Sequence, residues 1–138
     1  MTSQTGRTVL AIDPGSKRLG LAISDDSATF AVPLEPVEAD SWETPIAAIL
    51  SEKNVAEIVV GLPVSLDGTE RVSATRAREF AGRLEGTSGL PVKLVDERLT
   101  TAEAQKRLAD GGITSKRSRR LVDSSAATIL LQSYLQSR

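Results

Sequence analysis

Residues 8–24 read TVLAIDPGSKRLGLAIS, two apolar runs joined by a Pro-Gly turn. The pattern predicts two β-strands, at about 8–13 and 19–24, connected as a hairpin. Asp13 stands where the first of these strands ends. A carboxylate is almost never fully buried without a partner, and Asn, Gly or Ser would serve the turn equally well. Asp13 is therefore a candidate functional residue.

The rest of the chain alternates short apolar runs with helical patterns. Further strands are predicted at about 29–34, 57–63 and 92–96. The first helix is predicted to begin with Thr44 as N-cap and Pro45 as its first residue. The second is predicted from an apolar face formed by Val72, Ala77, Phe80, Ala81 and Leu84. The third is predicted to follow a capping box at Thr100–Glu103, and the fourth to span about 121–136. The predicted stops are Pro33 for the third strand, Gly61 and Pro63 for the fourth, and Gly86 and Gly89 for the second helix. The order βββαβαβαα indicates an α/β fold, with a mixed five-stranded sheet flanked by helices on both sides.

Composition predicts one soluble globular domain over residues 1–138, with 40% hydrophobic and 25% charged residues. Residues 1–7 have no apolar core of a signal peptide and are expected to be flexible. No apolar stretch approaches the length that a bilayer requires. We therefore expect a cytoplasmic protein that does not contact a membrane.

The chain contains no cysteine and no histidine. Disulfides, a thiol nucleophile, thiolate zinc sites and a Ser-His-Asp triad are excluded. Acid–base or metal chemistry must then depend on carboxylates, with Lys or Tyr as the other candidates. Ligation by oxygen alone favours Mg²⁺ or Mn²⁺.

Three carboxylates occupy junctions between predicted elements: Asp13, Glu97 and Asp123. Ligands of α/β sheets gather at the carboxyl ends of parallel strands, so Asp13 and Glu97 would meet if the first and fifth strands are neighbours. Asp123 would lie in the first turn of the last helix, where the helix dipole alone also favours an acid. Three converging carboxylates repel one another, and they need either raised pKa values or divalent cations. Two such cations can activate water against a phosphodiester.

A basic run precedes Asp123, and its members are Lys116, Arg117, Arg119 and Arg120. Cations beside an acidic site are what a phosphodiesterase needs to hold its polyanionic substrate. We interpret this run as a nucleic-acid contact.

Other basic residues have two interpretations. Lys17 and Arg18 could contact a scissile phosphate or be ordinary turn charges. Arg98 could pair with a catalytic carboxylate or a phosphate, or form a surface ion pair. The arginines of the second helix are interpreted as a solvated face: Arg71, Arg76, Arg78 and Arg83.

Five segments together resemble the YqgF/RuvX family of bacterial RNase H-like proteins, relatives of the Holliday junction resolvases. They are Asp13-x-Gly15, VGLP at 60–63, DGT at 67–69, DERLTT at 96–101 and VDSSAA at 122–127. The resemblance runs from about residue 8 to residue 134. It implies an RNase H-like fold and a metal-dependent nuclease that processes the 5′ end of precursor 16S ribosomal RNA.

On this resemblance Asp13, Glu97 and Asp123 match the family's acidic triad, as catalytic residues and as ligands of one or two Mg²⁺ or Mn²⁺ ions. The broader resolvase pattern has a further acid one turn into the last helix, where this chain has Ala126. Phosphate oxygens of the substrate would then complete the metal's ligands.

Two other functions fit the same residues. A resolvase acting on branched DNA would be a homodimer with two opposed sites. A non-catalytic assembly factor would bind nucleic acid without cutting it. The expected partners are structured RNA such as precursor rRNA, ribosomal precursor particles, or branched DNA, and both a monomer and a homodimer remain open.

Overall fold

The computed structural model describes residues 8–64, 71–99, 102–110 and 124–138. Several predictions fall on residues outside these ranges. They are the flexible segment 1–7, the loop at 67–69, the first two residues of the capping box at 100–101, the basic run 116–120 and the carboxylate of Asp123.

The described elements follow the predicted order βββαβαβαα. The strands are β1 (Thr8–Pro14), β2 (Arg18–Ser24), β3 (Ala31–Glu38), β4 (Val55–Leu62) and β5 (Val92–Asp96). The helices are α1 (Glu43–Glu52), α2 (Val72–Ser88), α3 (Ala102–Asp110) and α4 (Ser125–Ser137), with 3-10 turns at Ala39–Ser41 and Glu97–Leu99. No helix in these ranges is long and apolar enough to cross a membrane.

Within the described residues the strands form one five-stranded sheet in the order β3-β2-β1-β4-β5. The first three strands are antiparallel, whereas β4 runs parallel to both β1 and β5. This confirms the predicted mixed sheet. The first and fifth strands are not neighbours, however, because β4 pairs with β1 on one side and with β5 on the other.

Alternating side chains of the sheet face two separate cores. Leu10 and Ile12 of β1 pack on the side covered by α1 and α2, with Ile46. Val9 and Ala11 pack on the side covered by α3 and α4. The consecutive residues Asp13 and Pro14 continue this alternation, so their side chains leave the tip of β1 on opposite faces.

Two buried polar side chains hold α4 against the antiparallel strands. The Ser124 hydroxyl donates to the Leu34 carbonyl oxygen at 2.6 Å and accepts from the Leu21 N–H at 3.0 Å. The Gln132 amide oxygen accepts from the Ala31 N–H at 3.0 Å. Because the Ser124 and Gln132 side chains are fully buried, a shift of α4 along the sheet would leave polar groups unpaired.

Some predicted boundaries were wrong. The first helix begins at Glu43 with Trp42 as N-cap, rather than with Thr44, because Trp42 is buried and packs edge-on against Phe80. The third strand continues past Pro33 to Glu38, which an edge strand permits because its outer N–H groups need no partner strand.

The second helix ends at Gly89, as predicted, with φ of 71° in the left-handed region, whereas the predicted stop at Gly86 is wrong because Gly86 lies within the helix. Glycine adopts this conformation without strain and commonly ends helices in this way. Val72, predicted on the apolar face, is 66% exposed, and Ala74 is buried in its place.

Candidate active site

The carboxyl ends of β1, β4 and β5 meet at one edge of the sheet. Asp13 is the penultimate residue of β1, and Glu97 follows directly after β5. Gly61 lies in β4 between them and pairs in register with Val95 of β5. Alternation along each strand directs Asp13, Gly61 and Glu97 to the face that α3 and α4 cover.

Asp13 and Glu97 are in side-chain hydrogen-bond contact across β4. Both line a cavity of about 130 Å³, together with Gln105 of α3 and with Ala126, Ile129 and Leu130 of α4. The structure therefore brings together two of the three carboxylates that the sequence singled out. It also adds Gln105, an exposed helical residue with no sequence pattern to mark it.

The pKa of Glu97 is raised to about 7. The largest cause is burial of the carboxyl group, followed by repulsion from the Asp13 carboxylate, the hydrogen bond to Asp13, and repulsion from Asp96. A protonated Glu97 can donate its hydroxyl to Asp13, which relieves the repulsion between them. A cation bound beside the pair would relieve the same repulsion.

Gly61 makes this approach possible. A Cβ at residue 61 would lie 2.6 Å from Oε2 of Glu97 and 3.2 Å from its Cδ and Cγ. The sequence interpretation of Gly61 as a strand stop was wrong, because the residue is buried inside β4. A glycine within an apolar run is itself a signal of close approach by another group.

The hairpin beside Asp13 is tight. The Gly15 N–H donates to the Arg18 carbonyl oxygen at 3.2 Å, and a Cβ at Gly15 would collide with that oxygen. Lys17 and Arg18 are exposed, and the Ala39 N–H donates to the Lys17 carbonyl oxygen at 2.8 Å. Both cations therefore lie at the surface, next to the edge that carries Asp13.

Arg98 pairs with Asp96. Its Nη2 lies 2.7 Å from Oδ2 and its Nε 3.1 Å from Oδ1. The Arg98 side chain and its backbone N–H, which also donates to Asp96, lower the pKa of the Asp96 carboxyl group. This ion pair joins Arg98 to a carboxylate outside the predicted triad, and contact with a phosphate stays a prediction.

In the ranges 8–64, 71–99, 102–110 and 124–138, no group of three His, Cys, Asp or Glu side chains could hold a metal ion. Asp123 lies outside those ranges. Its chain neighbour Ser124 is fully buried against β2 and β3, and Ala126 lines the cavity beside Asp13 and Glu97. The start of α4 is thus next to the carboxylate pair.

A family model described as "RuvX: Holliday junction resolvase" matches residues 7–137. Curated relatives with the name "Putative pre-16S rRNA nuclease" match most of the chain, among them the following two. The protein of Maridesulfovibrio salexigens is 40% identical over 130 residues, which are 92% of this chain and 96% of the relative. That of Anaeromyxobacter sp. (strain Fw109-5) is 43% identical over 132 residues, which are 94% of this chain and 96% of the relative.

Solved structures share the fold. Thermus thermophilus RuvC in complex with a Holliday junction substrate superposes with a TM-score of 0.61 and 18% sequence identity. The superposition covers 94% of this chain and 95% of that chain. The predicted RNase H-like architecture is therefore confirmed.

Proposed function

The chain belongs to the RuvX family, and from this premise we propose that it is a divalent-metal-dependent nuclease that trims precursor 16S rRNA at its 5′ end. Asp13, Glu97 and Asp123 are its catalytic carboxylates. The observation that carries the proposal is the contact between Asp13 and Glu97 at the carboxyl edge of the sheet. We take residues 1–138 as one nuclease domain acting in the cytoplasm, on ribosomal precursor particles.

The donor set suits Mg²⁺ or Mn²⁺. Asp13 and Glu97 offer oxygen ligands only, and their mutual repulsion would be relieved by a cation. When bound, one or two such ions would polarise a phosphodiester and lower the pKa of water. Asp13 and Glu97 would hold the metal, and Glu97 would have to be deprotonated to do so.

Asp123 is proposed as the third ligand. Two observations support it: its neighbour Ser124 is anchored to the sheet, and Ala126 lines the cavity of the carboxylate pair. With alanine at 126, the protein contributes no fourth acid from that turn of α4. Substrate phosphate oxygens would complete the coordination.

Basic residues around the site would bind the substrate backbone. Lys17 and Arg18 are exposed at the hairpin beside Asp13, and Arg98 follows Glu97. We assign phosphate binding to these three and to the basic run before Asp123: Lys116, Arg117, Arg119 and Arg120.

The test is cleavage of a 16S rRNA fragment with a 5′ extension, in Mn²⁺ and in Mg²⁺. Asp13→Asn, Glu97→Gln and Asp123→Asn should each lower the cleavage rate by roughly 10²-fold or more, because each removes a negative charge that holds the metal. Asp26→Asn, in the exposed turn after β2, is the matched control and should keep full activity. Unchanged cleavage in the three site variants would refute the assignment.

The family description favours a second candidate, resolution of four-way DNA junctions. A resolvase cuts two opposed strands and therefore needs two sites in a homodimer. Light scattering and cleavage of a synthetic junction separate the candidates: a monomer that cuts the RNA but not the junction excludes the resolvase. Binding without metal-dependent cleavage of either substrate would identify a non-catalytic assembly factor.

A further inference from the structure

A second and larger cavity lies on the opposite face of the sheet from the Asp13–Glu97 pair. This cleft has a volume of about 640 Å³. Pro14, Gly15 and Ser16 of the first hairpin line one wall, and α2 lines the other. Nothing in the sequence pattern pointed to it, because it forms only when α2 packs beside the hairpin.

The cleft and the carboxylate site lie on opposite faces of the sheet, at the end of the same strand, β1. Asp13 lines the first cavity and Pro14, the next residue, lines the second. Lys17 and Arg18 are exposed in the hairpin that begins at this strand tip. A chain molecule held at Asp13 can therefore continue over a basic turn and enter the cleft.

One part of the cleft lining is aromatic. Trp42 is 4% exposed and packs edge-on against Phe80, with ring centroids 5.0 Å apart. Both residues line the cleft, and Phe80 is only partly buried. A partly exposed ring on a fixed support can stack against a nucleobase.

Two arginines of α2 form the rim. Nη2 of Arg83 lies 2.8 Å from Oε2 of Glu43, and the Arg83 guanidinium lies 5.4 Å from the centre of the Trp42 ring. For Arg76 no carboxylate partner is found within the part of the chain that the structure describes. Both are exposed, as the interpretation of a solvated helix face predicts, and both also line the cleft. Glu79 is the acid that lines the same cleft.

We propose that this cleft binds the stretch of the nucleic-acid strand that flanks the scissile phosphate, with Arg76 on a phosphate and Phe80 against a base. The inference rests on the proposed nuclease function and extends it to a second subsite. A guanidinium beside an aromatic surface matches the alternation of phosphate and base along a single strand. Because the cleft begins at Pro14, directly after Asp13, the substrate strand is favoured as its occupant over a protein partner.

The experiment measures binding of a labelled 16S precursor fragment by fluorescence anisotropy, with Asp13→Asn in every protein to prevent cleavage. Arg76→Glu should weaken binding about tenfold. It should also make the plot of log binding constant against log salt concentration less steep by roughly 0.7 to 0.9, which is the contribution of one phosphate contact. Glu79→Lys should tighten binding severalfold. Glu85→Lys is the matched control, since it makes the same charge change on an exposed part of α2 outside the cleft, and it should shift affinity less than Glu79→Lys.

The outcomes separate this proposal from the nuclease assignment. Equal affinities for Arg76→Glu, Glu79→Lys and Glu85→Lys would overturn the cleft even if the wild-type protein cleaves RNA, and a protein partner would become the better occupant. If the substitutions at Arg76 and Glu79 change the affinity but the wild-type protein cleaves no substrate, the cleft is supported as a nucleic-acid site and the nuclease function is refuted. Absence of any binding would overturn both.

Discussion

The backbone of Gly61 lies directly against the carboxylate of Glu97, because a Cβ at residue 61 would come within 2.6 Å of Oε2. Gly61→Ala should therefore displace the Glu97 carboxylate from Asp13. The clash is with a flexible side chain and not with backbone, so the fold should tolerate it. We expect cleavage to fall by about tenfold or more, as a misplacement of 1 Å can cost far more than that, with little change in the melting temperature.

Gly86→Ala is the control for Gly61→Ala. Among the described residues, no atom beyond the adjoining helix backbone lies within 4 Å of a Cβ built at Gly86, which is exposed on α2. Alanine there should stabilise the helix by about 0.5–1 kcal/mol and leave cleavage unchanged. Full activity in Gly61→Ala would show that the observed position of Glu97 is not needed for the reaction.

Much of the fold could be predicted because apolar periodicity is a local property. The hairpin, the strand and helix order and the position of Glu97 just after β5 follow from patterns within short windows. Asp13 was recognisable for a similar reason, since a carboxylate at the end of an apolar strand conflicts with burial.

What could not be predicted depends on contacts between distant segments. Trp42 replaces Thr44 at the start of α1 because its ring is buried against Phe80 of α2, and such packing outweighs a capping preference. The role of Gly61 depends on Glu97, which reaches it from another strand. The cleft at Arg76 likewise exists only once α2 is docked.

Stability without divalent cations should depend on pH through Glu97. Its pKa in the folded protein is about 7 against an ordinary 4.5, so the folded state keeps a proton that the unfolded state releases between these values. The contribution is complete below pH 4.5 and is lost as the pH rises through 7. We expect a loss of about 1 kcal/mol across this window, since a half-exposed group is partly screened by water.

Urea unfolding at several pH values, in chelator, measures this loss. The chain has no histidine, so few other groups titrate between pH 5 and 7. Glu97→Gln should make the free energy of unfolding nearly independent of pH in that range. Glu103→Gln, which changes an exposed carboxylate of α3, should leave the pH dependence as in the wild-type protein. An identical slope in Glu97→Gln would assign the titration to another group.

Divalent cations should stabilise the folded protein through the same carboxylates. Binding to the folded state alone adds about 2.7 kcal/mol at a concentration one hundred times the dissociation constant. Mn²⁺ should therefore raise the melting temperature of the wild-type protein and of Asp26→Asn. Asp13→Asn and Glu97→Gln should lose most of that rise, and an undiminished rise in both would put the metal elsewhere.

Ser124 should couple the stability of α4 to activity. Ser124→Ala leaves the Leu21 N–H and the Leu34 carbonyl without their buried partner, which should lower the free energy of unfolding by about 1–3 kcal/mol. Ser51→Ala, on the exposed side of α1, should change it by less than about 0.5 kcal/mol. Cleavage measured well below the melting temperature should fall for Ser124→Ala alone, because Asp123 precedes it in the chain and depends on how α4 begins. Lower stability with unchanged cleavage would mean that this anchor serves the fold and not the site.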